Sequence, residues 1–179
     1  MGIALQGGGS YGAYTKGVLK ALFNAKAFNA PTLQIKAVTG TSAGAVNGAL
    51  ITYGLNNGGM KKASALLDNF WGDVAQKGKI NGILYRMNPL SGGWPNLPQN
   101  ILTAASFLPS GFVSHYLKNQ IKTHIPDWNK LHNGPVKLFV NAVHEDKKTG
   151  NSRHIVFKGK HLSPDAIAAS GSLREFGAH

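Results

Sequence analysis

The 179 residues contain no cysteine, which excludes disulfides and thiolate zinc sites. No apolar run reaches 18 residues, so no transmembrane helix is expected. The N-terminus, Met1-Gly2-Ile3-Ala4-Leu5, enters a strand-like segment with neither a basic stretch nor a cleavage site, so no signal peptide is expected and the location reads as cytoplasmic or peripheral to a membrane. Acidic residues are scarce. Seven Asp and Glu stand against nineteen Lys and Arg, a formal charge of +12, and none precedes Asp68. Such a surface favours anionic partners. The 9% aromatic content is not interleaved with the lysines as a nucleic-acid stacking platform requires. Nucleic acid is therefore not an expected partner, and an anionic membrane surface is.

What is present suits one domain, long enough to bury about two-thirds of its unfolded surface. Its centre is Gly40-Thr41-Ser42-Ala43-Gly44. Leu33 to Thr39, with β-branched Ile35 and Val38, predicts a buried strand; Ala43 to Tyr53, rich in Ala and Leu, predicts a helix. Ser42 thus stands at a strand-to-helix corner. This is the pattern of a nucleophile elbow, where small residues two before and two after the serine (Gly40, Gly44) allow a sharp turn that exposes the hydroxyl. The competing reading is a tight turn whose Ser42 caps the helix.

Ile3 to Leu5 predicts a short strand and Ala13 to Phe23 a helix, with Val18, Leu19, Leu22 and Phe23 on one face and Lys16 and Lys20 on another. Between them lies Gln6-Gly7-Gly8-Gly9-Ser10-Tyr11-Gly12. Free N–H groups at a helix start, with the positive end of its dipole, make an anion site. Gly7, Gly9 and Gly12 satisfy the dinucleotide pattern G-x-G-x-x-G, which leaves a nucleotide-binding module as one alternative. That reading asks for an acidic residue about twenty positions on, at the ribose, and none occurs before Asp68. The other reading is an oxyanion hole, whose backbone N–H groups stabilise charge on an attacked carbonyl and which needs a nucleophile on a neighbouring strand. Ser42 is placed to supply it.

Gly-Gly-Gly-x-x-Gly at the first strand-helix turn followed by Gly-x-Ser-x-Gly at the next resembles the patatin-like phospholipases. Ala166-Ile167-Ala168-Ala169-Ser170-Gly171-Ser172-Leu173 is similar to the family segment that leads to its catalytic aspartate. The resemblance covers nearly the whole chain. It implies a three-layer α/β/α sandwich with a mainly parallel sheet, and a serine acyl-ester hydrolase of the phospholipase A, lysophospholipase or lipase type. Ser42 is the implied nucleophile, with Gly7, Gly8, Gly9, Ser10 and Gly12 forming the oxyanion hole. No metal or organic cofactor is implied. Many members carry arginine where this chain has Tyr11, which need not matter to a hole built from backbone N–H groups.

The family's base is an aspartate followed by Gly-Gly or Gly-Ala. The five aspartates here, Asp68, Asp73, Asp127, Asp146 and Asp165, each precede another residue type. Ser163-Pro164-Asp165 reads as a helix start, with serine at the N-cap, proline at N1 and an acid in the first turn. Asp68 and Asp73 fall in the amphipathic run Lys61 to Val74, opposite a buried face of Leu66, Leu67, Phe70 and Trp71, and are expected to face water. Asp127 and Asp146 are expected in connecting segments. None of His115, His124, His132, His144, His154, His161 and His179 sits in a sequence that marks it as a base. The chain is thus expected to be a fragment of one patatin-like domain, incomplete at its C-terminus. A catalytically inactive, lipid-binding relative is the remaining alternative.

Lys77 to Gly111 mixes Gly, Pro and Asn with apolar residues and Trp94 without a regular period. It reads as a lid or acyl-chain channel, or as an irregular packed connection. Val113 to Ile125 predicts a helix. Val136 to Val143 and His154 to Phe157 predict strands joined by a polar turn over Glu145 to Asn151.

Overall fold

The computed structural model describes residues 1–25, 33–87, 112–146 and 148–171, with the backbone alone for Ser10, 77–87 and 112–114. Among the described residues four strands form one sheet in sequence order: β1 (Gly2–Leu5), β2 (Ala37–Thr41), β3 (Lys137–Glu145) and β4 (Ser152–Lys158). The first three run parallel and β4 returns antiparallel to β3. Six α-helices among the described residues accompany them: α1 (Gly12–Asn24), α2 (Ala43–Asn56), α3 (Gly59–Met87), α4 (Phe112–His124), α5 (Asn129–Asn133) and α6 (Pro164–Gly171). Short parallel strands joined through helices are what alternating apolar runs and helical periods produce. The chain is accordingly an α/β domain with a mostly parallel sheet.

The centre of the core is α2. Every residue from Ala43 to Gly54 is buried, as expected of a helix apolar all round. It packs against β1, β2 and β3 on one side and α1 and α3 on the other, and α6 packs beside it on β3. Val38, Leu138 and Val140 form the sheet face beneath it, all at most 1% exposed. The other face carries exposed Ala4, Lys137, Val143 and Val156. Of the three layers expected, the described residues supply the sheet and the helices on one face.

Several boundaries differ from the sequence expectation. The strand expected over Leu33 to Thr39 is instead Ala37–Thr41, because its register is set by β1 and β3 and not by local apolarity. Lys36 marks the junction, donating its N–H to the Met1 carbonyl at 2.8 Å and accepting from the Lys137 N–H at 2.9 Å. The apolar face of α1 is buried only in part. Leu19 and Phe23 are buried, but Val18 is 44% and Leu22 37% exposed. α1 meets its neighbours along a narrow stripe that Val18 and Leu22, about 100° further round, do not reach. The region expected from Lys77 to Gly111 continues α3 as far as Met87, and the rest of it, Trp94 included, lies outside the described residues.

The C-terminal end of α2 is held by one side chain. Asn56 Nδ2 donates to the carbonyls of Lys130 at 2.8 Å and Val136 at 3.0 Å, and its Oδ1 accepts the Val136 N–H at 3.0 Å. This ties α2, α5 and the start of β3 together. Asn56→Ala removes all three bonds and leaves the Val136 N–H without its acceptor. Its unfolding free energy should fall by about 3 kcal/mol in urea denaturation; a loss below about 0.5 kcal/mol would show that these bonds are replaceable.

Candidate active site

The parallel pairing of β1 and β2 brings the two glycine motifs together. Leu5 is registered with Gly40, so the residues two further on, Gly7 and Ser42, emerge side by side at the C-terminal edge of the sheet. A β-carbon on Gly7 would lie 3.0 Å from Ser42 Cβ and 3.7 Å from Ser42 Oγ. The Gly7-Gly8-Gly9 loop therefore borders the serine hydroxyl. Its backbone needs glycine: φ is +150° at Gly8 and +56° at Gly9, and the Tyr11 N–H closes a turn on the Gly8 carbonyl at 3.1 Å.

Ser42 is the single non-glycine residue with positive φ among the described residues, at φ 55°, ψ −125°. Such a conformation costs on the order of 1–3 kcal/mol and is held only by its surroundings. Close packing holds it here. A β-carbon on Gly40 would come within 2.2 Å of the Gly44 carbonyl oxygen, and one on Gly44 within 2.3 Å of the Leu5 carbonyl oxygen. Both flanking positions thus require glycine. The hydroxyl makes no capping bond to α2, so the corner does not use Ser42 as a helix cap. The Ser42 carbonyl instead starts the helix, accepting from the N–H groups of Ala45 at 2.9 Å and Val46 at 3.2 Å. The positive end of the α2 dipole lies at the serine.

Four residues outside the two motifs, Ser170, Asn141, Asn47 and Trp71, complete the arrangement. Ser170 on α6 accepts the Ser42 N–H at its Oγ, 2.9 Å away, and donates its hydroxyl to the Asn141 carbonyl at 2.5 Å. The Asn141 side chain reaches Thr39 Oγ1 at 3.0 Å, bracing the strand that feeds the corner. Asn47, fully buried on α2, donates from Nδ2 to the Gly12 carbonyl at 2.9 Å and accepts the Trp71 indole N–H at Oδ1, 2.8 Å away. Gly12 lies flat against Trp71, leaving no room for a side chain. Asn47 and Trp71 thus clamp the last glycine of the loop to the helix that carries Ser42. Nothing local distinguishes Asn47 or Ser170 in the sequence; each is a polar residue in an apolar helical run, and that misfit is the one available signal.

The aspartates are engaged elsewhere. Asp68 pairs with Lys20 at 2.5 Å and Lys16 at 3.4 Å, and the Lys20 hydrogen bond foremost holds its carboxyl below the usual range. Asp73 meets His124 at 3.1 Å. Asp127 accepts the Asn129 N–H. Asp146 accepts the Lys148 and Thr149 N–H groups in the hairpin turn, which lower its pKa. Asp165 pairs with Lys118 at 2.6 Å, while Ser163 Oγ caps α6 by accepting the Ala166 N–H at 3.1 Å. Of the histidines, His124 stacks edge-on against Phe70 and His132 Nε2 lies 2.9 Å from the Leu162 carbonyl. Among the described residues no aspartate or histidine is hydrogen-bonded to Ser42. No group of three or more His, Asp or Glu able to hold a metal ion occurs among them either.

Compared with known proteins, residues 3–173 match the family model described as patatin-like phospholipase. No curated protein sequence matches the chain. A solved structure, the heterodimeric complex ExoU-SpcU from the type III secretion system of Pseudomonas aeruginosa, is similar at 17% identity and a TM-score of 0.48. The similarity covers 96% of this chain and 36% of that one, so the chain spans about a third of that protein's length.

Asn47 and Trp71 share one hydrogen bond, so their substitutions should not be additive. Asn47→Leu and Trp71→Phe should each cost about 1–3 kcal/mol in urea denaturation. The double variant should cost less than the sum of the two. Strict additivity would show that the clamp does not act as a unit.

Proposed function

The chain belongs to the patatin-like phospholipase family, and from that premise we propose that it is a serine acyl-ester hydrolase acting on lipid esters through Ser42. The family implies lipid acyl hydrolysis; the assignment of residues is this chain's own. The observation that carries it is the Leu5–Gly40 register, which sets a backbone loop of three glycines against an uncapped serine in a left-handed corner.

In the proposed sequence Ser42 Oγ attacks the ester carbonyl and the N–H groups of Gly8, Gly9 and Ser10 hold the oxyanion. The alcohol leaves with a proton, and water then cleaves the acyl-enzyme to release the fatty acid and free the serine. The α2 dipole adds to the stabilisation of negative charge at the corner. The resemblance implies an aspartate as the base that takes the Ser42 proton. Anionic membrane is the proposed setting of the substrate, in keeping with the charge of +12. Among the described residues no helix is long and apolar enough to cross a membrane, which is compatible with attachment at its surface.

A second reading has one observation in its favour: all five aspartates have partners other than Ser42. On that reading the protein binds lipid without cleaving it. Ser42→Ala separates the two. Release of fatty acid from phospholipid should fall by roughly three orders of magnitude or more, with lipid binding retained. Hydrolysis undiminished in Ser42→Ala would refute the mechanism, and hydrolysis absent from the unsubstituted protein would favour the binding relative.

A further inference from the structure

Helix α1 buries Leu19 and Phe23 and leaves its opposite side open. Tyr14 is 76%, Val18 44% and Leu22 37% exposed. Their spacing of four stacks them along one line of the helix. Tyr11, also 76% exposed, begins that line where the glycine loop ends. Exposed Gly17 and Ala21 fill the same side, so an arc of about 140° at 100° per residue carries no charge. Single exposed apolar residues are ordinary. An unbroken arc that starts at the loop bordering the candidate nucleophile is a surface of a different kind.

Charge points to the occupant. Lys16 and Lys20, on the side of α1 that faces α3, share a single carboxylate, Asp68, so the helix stays net cationic. No other acidic residue occurs in the first 68 positions, and the chain as a whole carries +12. That charge opposes pairing of two copies of this face and favours an anionic one. An apolar helix face with tyrosines on a cationic chain is the chemistry that lies in the plane of a lipid interface.

We infer that α1 is the docking face for an anionic phospholipid surface, with Tyr14, Val18 and Leu22 entering the boundary between headgroups and acyl chains. This rests on the reading of Ser42 as an acyl hydrolase site, because the face would bring the mouth of that site onto aggregated substrate. A soluble ester needs no such surface.

The test is cosedimentation with vesicles of phosphatidylglycerol and phosphatidylcholine in equal parts, using Ser42→Ala protein so that binding is read without hydrolysis. Replacing Tyr14, Val18 and Leu22 together by serine should weaken adsorption about tenfold or more, and raised salt should weaken it further. The same three substitutions with Ser42 intact should leave hydrolysis of p-nitrophenyl butyrate and the urea midpoint unchanged. Adsorption unaffected by the triple substitution would overturn the inference while leaving the hydrolase reading intact. Equal adsorption to pure phosphatidylcholine would overturn the anionic specificity. A dimer in sedimentation velocity that the triple substitution dissolves, with vesicle binding unchanged, would assign the face to a second copy instead. Adsorption lost as expected, in a protein that hydrolyses no ester, would uphold the docking face and remove the catalytic reading.

Discussion

The parallel register of β1 on β2 is the constraint on which the site depends. With Leu5 opposite Gly40, both strands end level, and the chain leaving each one meets the other immediately. A slip of one residue would turn Val38 from the core to the open face of the sheet and separate Gly7 from Ser42. The close approach of Gly44 to the Leu5 and Gln6 carbonyls fixes that register from the other side, since any larger residue would push the helix off the first strand.

Burial of α2 on every side makes the corner rigid. A helix free to shift would let Ser42 relax out of its positive φ; one packed between the sheet and α1 and α3 has nowhere to move. Polar side chains then fix what apolar packing leaves loose. Ser170 holds the serine N–H from α6, and Asn47 with Trp71 holds Gly12 from α2 and α3. Each is a buried hydrogen-bonded group, costly to leave unpaired and thus specific about its position. Ser42 is in this way coupled to elements far from it in sequence.

Much of this was legible in the residues. The strand-turn-helix around Ser42, the glycine turn before α1, the antiparallel β3–β4 hairpin and the Ser163 cap follow from local patterns of one or two turns. Ser163-Pro164-Asp165 reads as a helix start, and the Asp165 carboxylate sits in the first turn of α6 against Lys118. Long-range facts were not legible. The start of β2 at Ala37 depends on its neighbours, and Asn47 and Ser170 acquire meaning only once Gly12 and Ser42 are beside them. The exposure of Val18 and Leu22 was not legible for a related reason: period fixes which residues share a side of α1 and not what lies opposite. The role proposed for Ser42 and the glycine loop rests on family and geometry together, since G-x-G-x-x-G alone fits a nucleotide as well.

The central claim is that the backbone at this corner presents a reactive serine. Treatment of the protein with a fluorophosphonate ester, followed by mass spectrometry of its proteolytic peptides, reads that property directly. The account predicts one adduct, on Ser42, lost when the protein is first unfolded in urea. An adduct on another serine, or none under conditions that modify a known serine hydrolase, would contradict it.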